Sequence, residues 1–303
     1  MRSPKIPFLF IAVLLSATSG FAVDAQKLID RTVAEVFAEF PNLKSNQFAV
    51  TLVALPKEAP SVRGSFRGNE PIYPASVVKV FYLAAAHRWM EDGRLSDTAE
   101  LRRALRDMIV DSGNDPTHYI VDLLTATTAG PELPEAEMKE WGNKRNAVNR
   151  YFRSLGYENI NVNQKPWCEG PYGRERVWVG TNYNNRNALT TDATARLLLE
   201  IVQGLAVSPP RSAQMMELLK RDRTKESKDN EDQATGFSSL GLPKEARLWS
   251  KAGWTSTARH DAAYVELPAG EKFILVTFTT GHSNNRDIIA SVARRVVAVI
   301  TAP

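Results

Sequence analysis

Strand-forming runs lie toward the two ends of this chain and helical runs fill its middle. That order is the strongest constraint on its fold. Gln26 to Phe40 carries Leu28, Ile29, Val33, Val36, Phe37 and Phe40 at helical spacing and stops at Pro41. Phe48 to Leu55 is apolar and β-branched and reads as a strand. Pro56 to Pro60 is a turn, and Ser61 to Arg67 is expected to pair back as a hairpin. From Asp97 to Leu205 helix signals dominate: Thr98 to Val110, Pro116 to Leu124, one helix over Glu135 to Leu155, then Asp192 to Val202 capped by Thr190 or Thr191. Ser212 to Lys220 is a further short helix. Ala246 to Lys251, Asp261 to Leu267 and Lys272 to Thr279 read as strands, and Asp287 to Ile300 closes the chain as a helix. The expected fold is α+β: an antiparallel sheet flanked by terminal helices, with an all-helical lobe inserted between the second and third strands. Residues 26–72 and 216–303 would form the sandwich lobe, and 73–215 the helical lobe. Asn159 to Asn187 would be a long irregular loop whose aromatic residues favour packing over disorder.

Residues 1–25 read as a secretory signal. Arg2 and Lys5 precede the apolar stretch Phe8 to Leu15. Small residues follow, with Val23 and Ala25 suited to the −3 and −1 positions and Ala22 as the alternative. The stretch is too short for a stable membrane anchor, so the expectation is a periplasmic or secreted protein. Cys168 is the only cysteine, so no intrachain disulfide forms and an exported chain must rely on its core. A formal net charge of +4 spread over 303 residues is no nucleic-acid signature. His87, His118 and His282 have no ligand spacing between them, so neither a metal nor another cofactor is expected. A monomer acting on a small molecule is the expected form.

The nucleophile candidate lies in YPASVVKVFYL, residues 73–83. Ser76 and Lys79 are three apart, which puts both on one face of a helix. Pro74 fits only a first turn, so the helix should start near Tyr73 to Ala75. Ser76 then lies where backbone N–H groups are unpaired and developing negative charge is favoured. A hydroxyl nucleophile needs a base within reach, and Lys79 serves only when uncharged. By itself the pair also suits a capping serine and a snorkelling lysine.

Two companions raise its weight. Asp111-Ser112-Gly113-Asn114 forms a turn between two helices, where Ser112 can relay a proton and Asn114 can hold Lys79 or a substrate amide. Trp249-Ser250-Lys251-Ala252-Gly253-Trp254 ends a strand, with Lys251 adding positive charge and Gly253 permitting close approach to the backbone.

All three elements in this order, with HDAAYVELP further on, resemble the penicillin-recognising serine hydrolases, and among them most the class A β-lactamase-type branch. The resemblance covers essentially the whole chain after the signal. It implies an acylated Ser76, Lys79 as base or relay, Ser112 passing a proton to the leaving nitrogen, and Asn114 orienting Lys79 and substrate. It further implies that Lys251 favours an anionic substrate carboxylate, and that the N–H groups of Ser76 and Trp254 form an oxyanion hole. The substrate would be a β-lactam or a peptidoglycan-like molecule, and the outcome hydrolysis through an acyl-serine.

The chain departs from that pattern in three ways. Ala252 stands where the family usually has a hydroxyl residue, leaving Thr255, Ser256 or Arg259 as substitutes. The interval from Ser76 to Ser112 is short. The Glu-x-x-Leu-Asn pattern that supplies the deacylating glutamate is missing. Glu169 and Glu175 lie in the corresponding loop, Glu175 fits better by distance, and Arg174 and Arg176 flank it. The pair His260-Asp261 suggests a Ser-His-Asp triad, but adjacent strand residues point to opposite faces.

Overall fold

The computed structural model describes residues 24–302 apart from 168, 169, 226, 228 and 230. The expected signal segment as far as residue 23, Cys168 and Glu169 therefore lie outside the described residues.

Asp24 caps the first helix, α1 (Ala25–Glu39), by accepting a hydrogen bond from the Lys27 N–H at 3.1 Å. The hairpin follows as β1 (Phe48–Ala54) and β2 (Val62–Phe66), paired antiparallel. A 3₁₀ turn over Ala75–Val78 runs directly into α2 (Lys79–Glu91), whose apolar residues are buried almost all round. The helical middle continues with α3 (Ala99–Ile109), α4 (Asn114–Thr125), α5 (Glu135–Arg145), α6 (Ala147–Ser154), α7 (Gly173–Val179), α8 (Thr191–Val202) and α9 (Pro209–Leu219). Thr98 and Thr190 cap α3 and α8 through their hydroxyls.

The chain then returns to the sheet as β3 (Lys220–Arg221), β4 (Arg247–Trp254), β5 (Ala258–Glu266) and β6 (Lys272–Thr280), and ends in α10 (Asp287–Ile300). The strand order is β2-β1-β6-β5-β4-β3, and every pairing is antiparallel. This is the expected α+β architecture.

Two expectations need correction. The helix foreseen over Glu135 to Leu155 is broken at Asn146, whose side-chain oxygen accepts from Asn149 Nδ2 at 2.9 Å. A short polar side chain there competes for local hydrogen bonds, and apolar periodicity does not register that competition. The long loop is also not irregular throughout, because α7 forms within it around the buried Glu175 and Val179.

One face of the sheet packs on α1 and α10, with Leu28, Ile29, Val33, Phe48, Leu248, Val265, Phe273, Leu275, Val292 and Val296 in one apolar cluster. The other face, through Val53, Ala262, Tyr264, Ile274, Val276 and Phe278, is continuous with the helical core around Val80, Phe81, Leu105, Met108, Ile120, Phe152 and Leu198. This continuity positions the site, because α2 is buried against the sheet and carries its own N-terminus to the end of β4. β3 pairs only with Leu248 and Trp249, and beyond it side chains cover the outer edge of β4: Arg221 donates to Ser250 O, Gln233 accepts from the Ala252 N–H and Lys251 Nζ donates to Ala252 O.

Candidate active site

Ser76 is half-buried in the 3₁₀ turn that leads into α2. The turn is entered through Ala75 at φ 47°, a left-handed conformation that an alanine holds only where its surroundings impose it. Ser112, between α3 and α4, is held the same way at φ 56°. Strained residues of this kind cluster where side chains must be aimed. The Ser76 hydroxyl makes no hydrogen bond among the described residues.

Lys79 is fully buried, and its Nζ donates to Ser112 O at 2.6 Å and to Asn114 Oδ1 at 2.9 Å, with Ser112 Oγ at 3.4 Å. Lys251 is also fully buried. Its Nζ donates to Ser112 Oγ at 2.9 Å, to Gln233 Oε1 at 2.7 Å and to Ala252 O at 2.7 Å. An ammonium has three protons, so all three are used. Burial holds Lys251 well below the ordinary lysine range, and repulsion from Lys79 and Arg221 adds to this.

Gly253 brings the strand edge onto the Ser76 turn. A Cβ at this position would lie 2.6 Å from Pro74 O and 3.0 Å from Ser76 N, so no larger residue fits. Trp254 follows, 45% exposed. His260, opposite Gly253 on β5, fixes the approach to the turn. Its Nδ1 accepts from the Thr279 N–H at 3.1 Å, so Nε2 carries the proton and donates to Tyr73 O at 2.9 Å. Burial lowers this histidine to about 4, so it is neutral at pH 7. Asp261 faces the opposite side of the sheet and accepts from the Ser238 N–H at 3.1 Å, which removes the Ser-His-Asp triad.

The structure thus brings Ser76, Lys79, Ser112, Asn114, Lys251, Gly253 and Trp254 to one place, while the hydrogen bonds of Glu175 go to a different group. The Glu175 carboxylate is buried and held by both terminal nitrogens of Arg145 at 2.8 and 2.7 Å, with Lys165 Nζ at 3.6 Å. Its neighbour in sequence, Arg174, instead donates to Pro131 O. The buried partner comes from α5, which adjacency in the chain does not reveal.

Arg259 is fully buried and shares its sheet face with Asp261 and Ala252. Its Nη1 donates to Glu231 Oε2 at 2.6 Å, and its guanidinium lies 4.1 Å from the centre of the Phe237 ring. The Thr255 hydroxyl accepts from the Thr257 and Ala258 N–H groups of its own turn, and Ser256 offers its carbonyl to Ser283.

Sequence reasoning missed Gln233. Its Oε1 accepts from Lys251 Nζ and from Ala252 N at 3.0 Å, while its Nε2 donates to Val110 O at 2.9 Å. Only a carboxamide suits both ends of that arrangement. Nothing in the local sequence marks it, since it lies in a loop with no motif of its own. Among the described residues no group of three His, Cys, Asp or Glu is placed to hold a metal ion.

A family model described as the beta-lactamase enzyme family matches residues 29–300. The chain belongs to the beta-lactamase enzyme family. Solved structures share its fold. A variant of PBP-A in an acyl-enzyme complex with penicillin G superposes with a TM-score of 0.65 at 19% identity, covering 90% of this chain and 96% of that one. The β-lactamase of Sphaerobacter thermophilus gives 0.64 at 19% identity, covering 90% and 98%. The last common ancestor of Gram-negative bacteria class A β-lactamase gives 0.62 at 19% identity, covering 90% and 99%. No curated protein matches the chain in sequence. As a beta-lactamase family member the chain keeps the fold of these relatives. The strap from Gln233 and the Arg145–Glu175 pair are features read from its own residues.

Proposed function

We propose that this protein is an exported serine hydrolase that opens the amide of β-lactam rings through an acyl-Ser76 intermediate. One observation carries the reading: Ser112 Oγ is within 3.4 Å of Lys79 Nζ and 2.9 Å of Lys251 Nζ, beside the strand edge that packs on Ser76. In this mechanism Lys79 in its uncharged form takes the Ser76 proton as Oγ attacks the lactam carbonyl. The N–H groups of Ser76 and Trp254 receive the oxyanion, a contribution of about 10²–10³ in rate per donor. Ser112 gives its proton to the leaving nitrogen as the C–N bond breaks, and is reprotonated through the adjacent lysines. Water then cleaves the acyl ester. The test is intact-protein mass spectrometry after mixing with benzylpenicillin, followed over time beside nitrocefin turnover. The expected result is an adduct that forms and decays, absent from Ser76→Ala. A protein that gains no adduct refutes the reading.

A second reading is favoured by Glu175. With both its oxygens bound to Arg145 it is not free to activate water, and Glu169 lies outside the described residues. A long-lived acyl-enzyme, as in penicillin-binding proteins, would then form with little turnover, and the same mass series separates the two. For export, cleavage after Ala25 would remove Asp24, the cap of α1, and cleavage after Ala22 would keep it. The mass of the processed protein decides this.

A further inference from the structure

One stretch of chain supplies polar partners to two buried cationic side chains, Lys251 and Arg259, at the site end of the sheet. Gln233 Oε1 accepts a hydrogen bond from Lys251 Nζ and another from the Ala252 N–H. Two residues earlier Glu231 pairs with Arg259 at 2.6 Å. Phe237 lies under the same guanidinium, and the Ser238 N–H binds Asp261. Resting on the proposed acylation at Ser76, we infer that residues 231–238 supply an internal carboxylate and carboxamide in the role of a substrate carboxylate. The site therefore takes neutral acyl substrates as readily as anionic ones.

Three observations point this way. Lys251 is fully buried with its three protons assigned, so an incoming carboxylate has to displace Gln233 before it meets the charge. Arg259 is fully buried, and an anion approaching it meets the partly exposed Glu231 carboxylate first. Ala252 has no hydroxyl and packs with Phe237 and Ile289, while the Thr255 hydroxyl is used by its own turn. Past this covered edge the exposed group at the end of β4 is the half-exposed indole of Trp254, the register partner of Arg259 and an amphipathic surface without net charge. Arg259 Nε and Nη2 have no hydrogen-bond partner among the described residues, so the guanidinium retains capacity for a second anion once Glu231 is neutralised.

The experiment compares the rates at which benzylpenicillin and its methyl ester acylate Ser76. The two rates should lie within about three-fold in the natural protein. Glu231→Gln should raise the preference for the acid at least ~10-fold, a shift of about 1.4 kcal/mol, and Glu231→Gln with Arg259→Ala should abolish that gain. A natural protein that prefers the acid by more than roughly thirty-fold, or a Glu231→Gln variant with an unchanged ratio, overturns the inference. A separate titration needs no acylation. Calorimetry with phenylacetylglycinate should show no saturable binding to the natural protein, and binding to Glu231→Gln that the added Arg259→Ala removes. Saturable binding to the natural protein that Arg259→Ala alone destroys overturns the inference. If neither penicillin labels Ser76, the catalytic reading fails and the calorimetric result alone decides the role of Glu231.

Discussion

Lys251 Nζ lies 2.9 Å from Ser112 Oγ, across 139 positions of sequence, so an ammonium on a sheet edge donates to a hydroxyl held on a left-handed turn. A second lysine, Lys79, lies 3.4 Å from the same hydroxyl, and in the proposed mechanism the two lysines restore the proton that Ser112 gives up. Removing the hydroxyl should leave binding largely intact and slow the step in which the leaving nitrogen is protonated. Ser112→Ala is expected to reduce acylation of Ser76 by benzylpenicillin about 10²–10⁴-fold, read by rapid-quench mass spectrometry. An unchanged acylation rate would remove Ser112 from the mechanism.

Gly253 is where the strand edge meets the turn that carries Ser76. Gly253→Ala places a methyl group 2.6 Å from Pro74 O and 3.0 Å from Ser76 N, so the turn must move. Misplacement of about 1 Å can cost roughly 10²-fold in rate, and acylation should fall by that order while the far-ultraviolet circular dichroism stays the same. A variant that acylates at the natural rate shows that the contact does not position Ser76.

Glu175 should behave as a structural anion. Glu175→Gln leaves Arg145 fully buried without its full countercharge, and breaking such a pair costs about 3–5 kcal/mol. Urea unfolding should show that loss, while the ratio of deacylation to acylation in the folded protein stays within about three-fold of the natural value. A deacylation rate that collapses at unchanged stability would instead make Glu175 the base that activates water.

Acid should destabilise the fold through two histidines. Burial lowers both His87 and His260 to about 4, against 6.5 for a free imidazole. Below pH 6.5 the unfolded chain takes up protons that the folded chain refuses. Stability is thus fully present above 6.5 and is lost as pH falls toward 4, by on the order of 3 kcal/mol per histidine. His87 is the cleaner probe, because neither ring nitrogen has a hydrogen-bond partner among the described residues. In urea titrations His87→Met should flatten the loss between pH 6.5 and 5. An unchanged slope would show that His87 protonates in the folded state.

Much of the site was legible because its chemistry is local. Ser76 and Lys79 share a helix start that Pro74 announces, Ser112 and Asn114 share one turn, and Lys251 and Gly253 share one strand end. Each of these pairs needs only short-range geometry. Glu175 misled because its flanking arginines are neighbours in sequence, whereas the partner that takes its charge lies thirty positions back, on α5. Gln233 and Glu231 were invisible for the same reason: a loop's contacts are set by what it crosses.

The order of helical and strand periodicities by itself determined the α+β fold, and three short motifs by themselves nominated a candidate nucleophile and its companions. Those are properties of residues a few positions apart, which backbone sterics and side-chain spacing fix. Only the tertiary structure decided which charges meet. It gave Glu175 to Arg145, Arg259 to Glu231, and Lys251 to Ser112 and Gln233. Burying an ion costs so much unless it is paired that partner choice belongs to the packed interior and not to the order of residues along the chain.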